Sequence, residues 1–532
     1  MIFDADHFQG ATDFSESDVL IVGAGPVGLT LAEALSRRGI RSVLLEAGDE
    51  TGTTGERFSR PSVDRHAFSG VRRRHFGLGG GFNVWAGQCL RFHDLDFAHR
   101  SWVPQSGWPI GLDTMSPFYA EAEQFYGISA DGYHGSTWRR FGLEPASLIE
   151  EDIAFRFSVF APEADIFARD RAAWRKRTDS LIFLNANVVG LDGVDGSVDA
   201  VRVVTRGGRQ LAFSAGRVVI AAGAIETARL LLIGGRGFPQ GIGNDHGHVG
   251  AHLQDHPRFT EATIRPSARS PRHGDFTKWF SMLSDRNLRY LPRMVLSASV
   301  QEELGILNGS AFPRYEWPKS SMTAHLRALQ DAVAGRRFDL SMMSTIKQMA
   351  ADPRLAARMA KGRLRGTPFA EPPSRVALQV QVEQNPGTSS RVRLGDSKDA
   401  FGRPQATVSW VIDDLEVRSI RGVLDRVGGF LDKQGFGSLV MTGAADDAEL
   451  VSGVSDSQHQ MGTARMASDP THGVVDASGQ VFGVANLYLA GGSTFPTGSY
   501  ANPTLTMAAN AFRLAAQLHR MQHRSPLSSV GP

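Results

Sequence analysis

Apolar and polar residues change their spacing within the first 50 residues, and the change marks a strand, a turn and a helix. An apolar run at Val19–Val22 predicts a buried strand, which ends at the glycine-rich sequence GAGPVG. Apolar residues then recur at helical spacing, and a second apolar run, Ser42–Leu45, predicts another strand. Strand, helix and strand in this order predict a βαβ unit with parallel strands.

The glycine-rich turn of this unit has the spacing of dinucleotide-binding turns. Gly23 permits the tight turn, Gly25 lets the backbone approach a pyrophosphate, and Gly28 allows the helix to pack closely on the strand. The positive end of the helix dipole faces the same turn. Glu46 ends the second strand, where a carboxylate would accept hydrogen bonds from an adenosine ribose and repel a 2′-phosphate. The pattern therefore favours FAD or NAD over NADP, and a plain tight turn is the alternative.

Two later segments repeat the order of strand, turn and helix. Arg217–Leu232 contains an apolar strand followed by Ala222 and Gly223, whose small residues would let the backbone lie against a nucleotide. The apolar run Asn486–Ala490 leads into a glycine-rich turn, and a helix is predicted from about Thr504. A helix amino terminus at this turn suits the pyrimidine end of a flavin. For the first segment, an ordinary strand-to-helix turn is the alternative.

The sequence LGGGFNVWAG, Leu78–Gly87, places three adjacent glycines before a valine and two aromatic residues. Glycine has no Cβ, so its backbone amides can lie against a flat ligand. The segment therefore predicts a loop that contacts an isoalloxazine ring, and a flexible surface loop is the alternative.

The chain has 532 residues, of which 42% are apolar and 21% charged, so it is long enough for two domains. No stretch approaches the roughly 20 apolar residues that span a bilayer, so no membrane span is expected. The amino terminus, MIFDADHFQG, has no basic segment followed by an apolar one. We therefore expect no secretory signal and a cytoplasmic location.

The charge of the chain limits its partners. A formal net charge of +2 is too small to predict a nucleic-acid surface. The basic cluster Arg72–Arg74 is interpreted as a solvated loop, with a phosphate-facing role as the alternative because a glycine-rich segment follows it. The single cysteine, Cys89, excludes an internal disulfide and a multi-cysteine metal or iron–sulfur site. Electrons must therefore pass through an organic cofactor or a partner.

Seven motifs, in order along the chain, give it a resemblance to the glucose-methanol-choline (GMC) oxidoreductases. Within them it is most similar to the branch of pyranose oxidase, C-glycoside 3-oxidase and gluconate or fructose dehydrogenase. The motifs are GAGPVG (Gly23–Gly28), LGGGFNVWAG (Leu78–Gly87), SGWPI (Ser106–Ile110), AAGAIETARLLL (Ala221–Leu232), VGAHLQDHP (Val249–Pro257), HQMGTARM (His459–Met466) and ANPTLT (Ala501–Thr506). Only about 259–373 contains no matching motif.

The resemblance implies that His459 is the catalytic base near flavin N5 and that Asn502 is its hydrogen-bonding neighbour. An imidazole with an ordinary pKa near 6.5 is suited to accept a hydroxyl proton at neutral pH. Together with the turns described above, the resemblance implies that FAD is bound by Gly23, Gly25, Pro26, Val27, Gly28, Glu46, Ala47, Gly79, Gly80, Asn83, Val84, Trp85, Val188, Ala222, Gly223, Gly492, Ser493, Asn502, Pro503 and Thr504.

The implied activity is oxidation of an alcohol carbon of a sugar, glycoside or polyol to a carbonyl, by hydride transfer to flavin N5. Oxygen, a quinone or a redox protein would accept the electrons. A dehydrogenase with a quinone or cytochrome partner, a lyase with structural FAD and a noncatalytic flavin-binding subunit are the alternatives. Association into a homo-oligomer stays open.

One departure from the family pattern concerns the attachment of FAD. Pyranose oxidases typically attach FAD through a histidine directly before the tryptophan of the glycine-rich loop, and this chain has Val84 at that position. Valine cannot form such a bond, so noncovalent FAD is expected.

Two further patterns bear on metals and partners. His248, His252 and His256 lie four residues apart, but Gly250 and Pro257 argue against a continuous zinc-binding helix, so no metal is expected. Ser320–Leu364 predicts two amphipathic helices that pack on the substrate domain. An oligomer contact, a redox-partner surface and a lid are the alternatives for that segment.

The fold class expected is mixed α/β, with a Rossmann-type FAD-binding domain interleaved with a substrate domain built on an antiparallel sheet with helices. The FAD-binding domain is assigned to 1–95, 160–258 and 450–532, and the substrate domain to 96–159 and 259–449. The runs Arg375–Gln384 and Gln405–Asp413 alternate as half-buried strands do, and both are assigned to a sheet that covers the flavin.

Overall fold

A computed structural model describes residues 1–14, 18–54, 60–64, 66, 68–71, 74–128, 130–144, 148, 150–163, 166–265, 276–285, 288–318, 321, 353, 357, 373–387, 389–441 and 446–523. The two helices predicted over Ser320–Leu364 lie outside the described residues.

The strands are, in chain order, β1 (Ile2–Asp4), β2 (Val19–Val22), β3 (Ser42–Leu45), β4 (Thr53–Thr54), β5 (Ser62–Val63), β6 (His75–Phe76), β7 (Gln88–Cys89), β8 (Ile153–Phe160), β9 (Ser180–Leu184), β10 (Ala186–Val194), β11 (Ser197–Thr205), β12 (Gln210–Phe213), β13 (Arg217–Ile220), β14 (Arg258–Arg265), β15 (Leu283–Asp285), β16 (Leu288–Leu296), β17 (Gly309–Glu316), β18 (Arg375–Val382), β19 (Arg391–Lys398), β20 (Pro404–Ser409), β21 (Ser438–Met441) and β22 (Leu487–Leu489). The helices are α1 (Pro26–Ser36), α2 (Asp94–Phe97), α3 (Leu112–Tyr126), α4 (Ile166–Lys176), α5 (Gly223–Ile233), α6 (Phe276–Phe280), α7 (Ala298–Leu304), α8 (Asp414–Lys433), α9 (Asp447–Ser452) and α10 (Thr504–His523).

Six strands form a parallel sheet in the order β1, β9, β3, β2, β13 and β22. Strand β2 pairs in parallel with β3 on one side and with β13 on the other. Both β2 and β3 are buried at every position, as expected of parallel strands covered on both faces. The predicted βαβ unit is confirmed, and α10 begins at Thr504 where a helix was predicted.

A second, antiparallel sheet has the order β21, β14, β18, β17, β16, β8 and β7, with β15 paired to β16. Helix α8 packs across β16, β17 and β18. Strand β18 was predicted to be half-buried, but its last six residues are all buried. The reason is that its polar residues, Gln379 and Gln381, point to the side of the sheet away from α8 and are covered there as well.

The assignment of Gln405–Asp413 to the same sheet was wrong. Strand β20 pairs antiparallel with β19 and parallel with β5 in a separate three-stranded sheet. Its buried residues, Ala406 and Val408, belong to a strand that packs against α5, a helix of the parallel-sheet unit. Alternation indicates that one face is covered, but it does not indicate what covers that face.

The six parallel strands all come from 1–95, 160–258 and 450–532. The antiparallel sheet draws mainly on the remaining chain, although β7 lies within the first of those segments. Within the described residues, no helix is long and apolar enough to cross a bilayer.

Candidate active site

The turn between β2 and α1 brings its glycines close together. Gly23 has a φ of +105°, a region that glycine enters without steric cost. A Cβ on Gly28 would lie 1.9 Å from the carbonyl oxygen of Gly23, so only glycine lets α1 pack this closely on β2. Gly25 is the N-cap of α1 and forms no side-chain cap. The first backbone N–H groups of α1 therefore remain directed at the turn, an arrangement that suits a phosphate.

Glu46 forms the opposite wall of this turn. Its Oε2 accepts a hydrogen bond from the backbone N–H of Ala24 at 2.9 Å, and its Oε1 accepts from those of Gly48 and Gly77 at 3.0 and 2.9 Å. Burial raises the pKa of this carboxyl, and the three amides oppose the rise. Glu46 thus lies at the carboxyl end of β3, beside the glycine-rich turn.

Ala47 and Val188 lie next to Glu46. Ala47 follows it in the chain, and Val188 belongs to β10, whose first residue, Ala186, donates its N–H to the carbonyl oxygen of Glu46 at 2.8 Å. Both side chains are half-buried. The structure therefore brings these two predicted cofactor residues to the same edge of the parallel sheet.

The loop of three glycines packs against the dinucleotide turn. The Gly79 N–H donates to the carbonyl oxygen of Ala24 at 3.0 Å. A Cβ on Gly80 would lie 2.9 Å from the Cα of Gly25. The structure places Gly79 and Gly80 beside the amino terminus of α1.

The residues after these glycines form a braced loop with one exposed apolar side chain. Asn83 donates from Nδ2 to the carbonyl oxygens of Leu78 and Gly80 at 3.1 and 3.0 Å. Trp85 packs against Tyr126 with ring centroids 5.3 Å apart. Val84 lies between them and is 66% exposed.

The turn after β22 reaches the same region. A Cβ on Gly491 would lie 3.4 Å from the side chain of Val27, in the first turn of α1. The carbonyl oxygen of Gly492 accepts the N–H of Gly462 at 2.9 Å, which ties this turn to the segment that contains His459. Ser493 is buried, and its Oγ has no partner within the described part of the chain. A buried hydroxyl of this kind suits a polar ligand.

The turn between β13 and α5 lies beside the dinucleotide turn. A Cβ on Gly23 would come within 2.7 Å of the carbonyl oxygen of Ala221. Ala222 is the N-cap of α5, and Gly223 has a φ of +75°. The two strand-to-helix turns predicted from sequence therefore meet at one edge of the parallel sheet.

The imidazole of His459 lies between His256 and Asn502. Its Nδ1 is 3.0 Å from Nδ1 of His256, and its Nε2 is 3.4 Å from Nδ2 of Asn502. Asn502 is followed by Pro503 and by Thr504, the first residue of α10. Three segments that are distant in sequence thus converge on one imidazole.

The hydrogen-bond network assigns the protons of both histidines. Nε2 of His256 lies 3.2 Å from the carbonyl oxygen of Gly498, which can only accept, so this Nε2 carries a proton. Nδ1 of His256 is then an acceptor, and it receives Nε2–H of Gln381 at 3.1 Å and Nδ1–H of His459 at 3.0 Å. His459 is therefore protonated on Nδ1, and the lone pair on its Nε2 faces the Nδ2 donor of Asn502 at 3.4 Å.

Both imidazoles are neutral at pH 7. Burial lowers the pKa of His256 to about 4. Burial, followed by the neighbouring His256 and Arg293, holds the pKa of His459 well below its usual value. A neutral imidazole whose Nε2 carries no proton can accept one there.

Arg293, from β16, orients Asn502. Its Nη2 donates to Oδ1 of Asn502 at 3.3 Å. Because a guanidinium can only donate, it fixes which amide atom is the oxygen, and Nδ2 must face His459. The donor that Asn502 presents to the site is therefore set by a charged residue of the antiparallel sheet.

Asp255 connects the two segments that carry the histidines. Its Oδ2 accepts the backbone N–H of His459 at 2.9 Å, and its Oδ1 accepts those of Ser457 and His256 at 3.0 and 2.7 Å. Burial, with the nearby charge of Asp456, raises the pKa of Asp255 to about 7. The N–H donors oppose this rise and favour the carboxylate.

Some residues singled out from sequence lie elsewhere. Nδ1 of His248 is 3.0 Å from Nε2 of His252. Nδ1–H of His252 donates to the carbonyl oxygen of Pro386 at 2.9 Å. Arg74 pairs with Glu226. The other two arginines of that basic cluster are outside the described residues.

Two family models match the regions that build this site. Residues 386–511 match the GMC oxidoreductase model, and residues 16–58 match an FAD binding domain. The first range includes His459 and Asn502, and the second includes the glycine-rich turn and Glu46. Residues 386–511 thus form a GMC oxidoreductase domain.

This GMC oxidoreductase is similar to known enzymes along almost its whole length. It is 23% identical to 2-methyl-1,2-propanediol dehydrogenase of Mycolicibacterium austroafricanum, over 96% of each chain. It is 24% identical to paromamine 6′-oxidase of Streptomyces fradiae, over 94% of this chain and 90% of that enzyme. Among solved structures, pyridoxine 4-oxidase from Mesorbium loti matches with a TM-score of 0.55 and 18% identity, over 94% of this chain and 99% of that one.

These comparisons confirm the family, the mixed α/β fold with an FAD-binding domain and the assignment as an enzyme. The GMC oxidoreductase is a flavoprotein with an FAD binding domain. Its residues fit FAD on structural grounds as well. The start of α1 has no side-chain cap, and the hydroxyl of Ser493 is buried without a partner in the described part of the chain, so both can serve a polar ligand.

Sequence reasoning missed two residues of this site in the GMC oxidoreductase. His256 was considered only as a member of a possible zinc helix, although its position in the VGAHLQDHP motif was a signal. Arg293 lies in the stretch where no motif was matched, so no sequence signal pointed to it. Both make contacts only through tertiary structure.

Proposed function

We propose that this enzyme oxidises a CH–OH group of a sugar, glycoside or polyol to a carbonyl, with His459 as the proton acceptor. The observation that carries the proposal is the unprotonated Nε2 of His459, which lies 3.4 Å from the Nδ2 donor of Asn502. A substrate hydroxyl at this position would donate its proton to Nε2 and accept a hydrogen bond from the amide. When bound, FAD supplies the acceptor for the hydride.

His459 and Asn502 have separate tasks in this scheme. Removing the hydroxyl proton builds negative charge on the substrate oxygen, and an amide N–H can stabilise that charge without titrating. Arg293 keeps the amide in the required orientation. His256 keeps Nδ1 of His459 protonated, so that the lone pair stays on the nitrogen that faces Asn502.

We infer that the parallel-sheet unit holds FAD and that the antiparallel sheet supplies the substrate side of the pocket. The start of α1 would receive the pyrophosphate, and Glu46 the adenosine ribose. The loop Gly79–Trp85, the turn at Gly492 and Ser493 and the segment Asn502–Thr504 would surround the flavin. This division assigns substrate binding to 96–159 and 259–449.

The relatives favour a polyhydroxylated substrate. One is named for a diol, and the other for an aminoglycoside. The electron acceptor in this proposal is oxygen, a quinone or a redox protein, as the names of the relatives include both a dehydrogenase and an oxidase.

Anaerobic addition of substrates tests the proposal. Purified enzyme is mixed with a panel of sugars, glycosides, aminoglycosides and polyols, and at least one member should remove the visible absorbance of the flavin. The rates of peroxide production and of dye reduction are then compared with that substrate. Faster peroxide production indicates an oxidase, and faster dye reduction indicates a dehydrogenase. Flavin that no member reduces would contradict the proposal, and product formed without bleaching would favour a lyase with structural FAD.

We also expect FAD to be bound noncovalently, because Val84 precedes Trp85 and a valine side chain has no atom that can form a bond to flavin. Acid precipitation should release yellow flavin into the supernatant. Colour that stays with the pellet would contradict this expectation. A boiled sample of the same preparation serves as the control for flavin that is trapped mechanically.

A further inference from the structure

The two faces of the antiparallel sheet differ in polarity. Directly opposed residues of antiparallel strands share a face, and Arg293 on β16 lies opposite Arg156 on β8, while Ser310 on β17 lies opposite Gln381 on β18. The alternate positions, such as Phe155, Met294, Ala311 and Val380, are apolar and face the side covered by α8. The polar face is the one that contacts Asn502 and His256.

Arg293 is a buried cation on this face without an acidic partner. It is 1% exposed, and it donates from Nε to Ser158 at 2.9 Å, from Nη1 to Ser310 at 3.0 Å and from Nη2 to Asn502 at 3.3 Å. All three acceptors are neutral oxygens. Burial lowers the pKa of Arg293 to about 10, which leaves it charged at neutral pH.

Arg100 provides a comparison within the same protein. It is also 1% exposed, but both of its terminal nitrogens bind Glu383, at 2.8 and 2.9 Å. Removing a charge from water is costly unless an opposite charge accompanies it, and Arg100 follows that rule. No carboxylate among the described residues pairs with Arg293, whose guanidinium lies 4.5 Å from the ring centroid of Phe312, so a carboxylate on a ligand would be its first opposite charge there.

One further hydrogen-bond donor near Arg293, the hydroxyl of Tyr500, also lacks a partner among the described residues. Tyr500 is fully buried, and its hydroxyl has no partner among the described residues. Burial raises the pKa of that hydroxyl, and the charges of Arg156 and Arg293 are close enough to oppose the rise.

We propose that the substrate is a polyhydroxylated molecule that carries a carboxylate, which binds at Arg293 with Arg156 and Tyr500 beside it. This inference rests on the proposed function and names its substrate class. A planar carboxylate accepts charge-assisted hydrogen bonds from guanidinium groups and supplies the missing counter-charge.

The position of Arg293 also limits where the carboxylate lies on the substrate. One amide group, that of Asn502, separates Arg293 from Nε2 of His459. The carboxylate and the oxidised carbon must therefore belong to the same sugar unit. A neutral sugar of the same shape would leave the guanidinium without an opposite charge.

The test compares matched compounds in the holoenzyme. Anaerobic flavin reduction is measured with a hexuronic acid, its primary amide, the parent hexose and the hexose 6-phosphate. We expect the second-order rate constant of flavin reduction for the acid to exceed that for the amide by about 10- to 100-fold, the usual range for a hydrogen bond to a charged group. Arg293→Gln should remove this preference. Arg314→Gln is the control. Arg314 is an exposed arginine of the neighbouring strand β17, so its replacement should leave the preference for the acid intact.

A binding measurement separates recognition from chemistry. Tetrahydropyran-2-carboxylate and its amide have no hydroxyl to oxidise, and their Kd values follow from changes in the flavin spectrum. The wild type should bind the carboxylate at least tenfold more tightly than the amide. Arg293→Gln should bind the two compounds equally well. Arg293→Lys keeps the charge and should retain part of the preference, which covers the case in which the glutamine variant folds poorly.

Several results would overturn the inference. One such result is a wild-type enzyme that reacts faster with the amide or the hexose than with the hexuronic acid. Another is a wild-type enzyme that reacts faster with the hexose 6-phosphate than with the hexuronic acid. An equal loss with acid and amide in Arg293→Gln would assign Arg293 only to the orientation of Asn502. Flavin that no sugar reduces would contradict the proposed function instead, and the binding measurement would still test Arg293.

Discussion

Replacing His459 by alanine should lower turnover by roughly 10² to 10⁴, the usual scale for the loss of a positioned proton acceptor, while FAD stays bound. The reason is that Nε2 of His459 carries the lone pair beside Asn502, and alanine offers no atom at that position. The cofactor-binding turns at Gly23–Gly28 and Glu46 lie in other segments, so the flavin should remain. Steady-state kinetics and the flavin-to-protein absorbance ratio measure the two expectations.

His246→Ala is the matched control, because that histidine is exposed and lies outside the network around His459. Its turnover should equal that of the wild type. Full turnover in His459→Ala would remove His459 from the mechanism. Loss of flavin in the same variant would mean instead that His459 supports the cofactor site.

Replacing His256 by leucine should lower kcat by about 10²-fold or more, although His256 does not contact the proposed substrate position. Leucine removes the acceptor for Nδ1–H of His459, so the proton can move to Nε2 and block the base. In a Ser-His-Asp triad, the wrong tautomer costs about 10⁴, which sets the upper limit. KM should change much less than kcat, because the substrate-facing groups remain.

His256→Asn distinguishes a tautomer effect from a packing effect. An asparagine Oδ1 can accept a hydrogen bond close to where Nδ1 of histidine did, so this variant should recover to within about tenfold of the wild type. Thermal unfolding of both variants tests whether they are equally folded. A leucine variant with wild-type kcat, or an asparagine variant no better than leucine, would contradict the role of His256.

The cofactor half of the protein could be predicted from local sequence. Strands β2 and β3 have the bounds that their apolar runs predict. The glycine spacing could be interpreted because its constraint is local: a Cβ on Gly28 would meet the carbonyl oxygen of Gly23, five residues earlier. Such contacts depend on backbone geometry over a few residues, which sequence patterns record directly.

Sheet membership was less predictable. Strands β18 and β20 have similar alternation, but β18 lies in the antiparallel sheet and β20 pairs with β19 and β5. Alternation reports how a strand is buried, and it carries no information about the strand beside it. The helix that packs on β20 is α5, which lies far away in the chain.

The sequence by itself determined the dinucleotide turn, the position of Glu46 and, through the family resemblance, the pairing of His459 with Asn502. Only the tertiary structure placed His256 and Arg293 beside them, 203 and 209 residues from their respective partners. Strand register put Arg293 on the polar face of its sheet, and burial deprived it of water. The physical reason for the division is range: backbone sterics act between neighbours in sequence, whereas proton placement and unpaired charge depend on which distant side chains share a desolvated site.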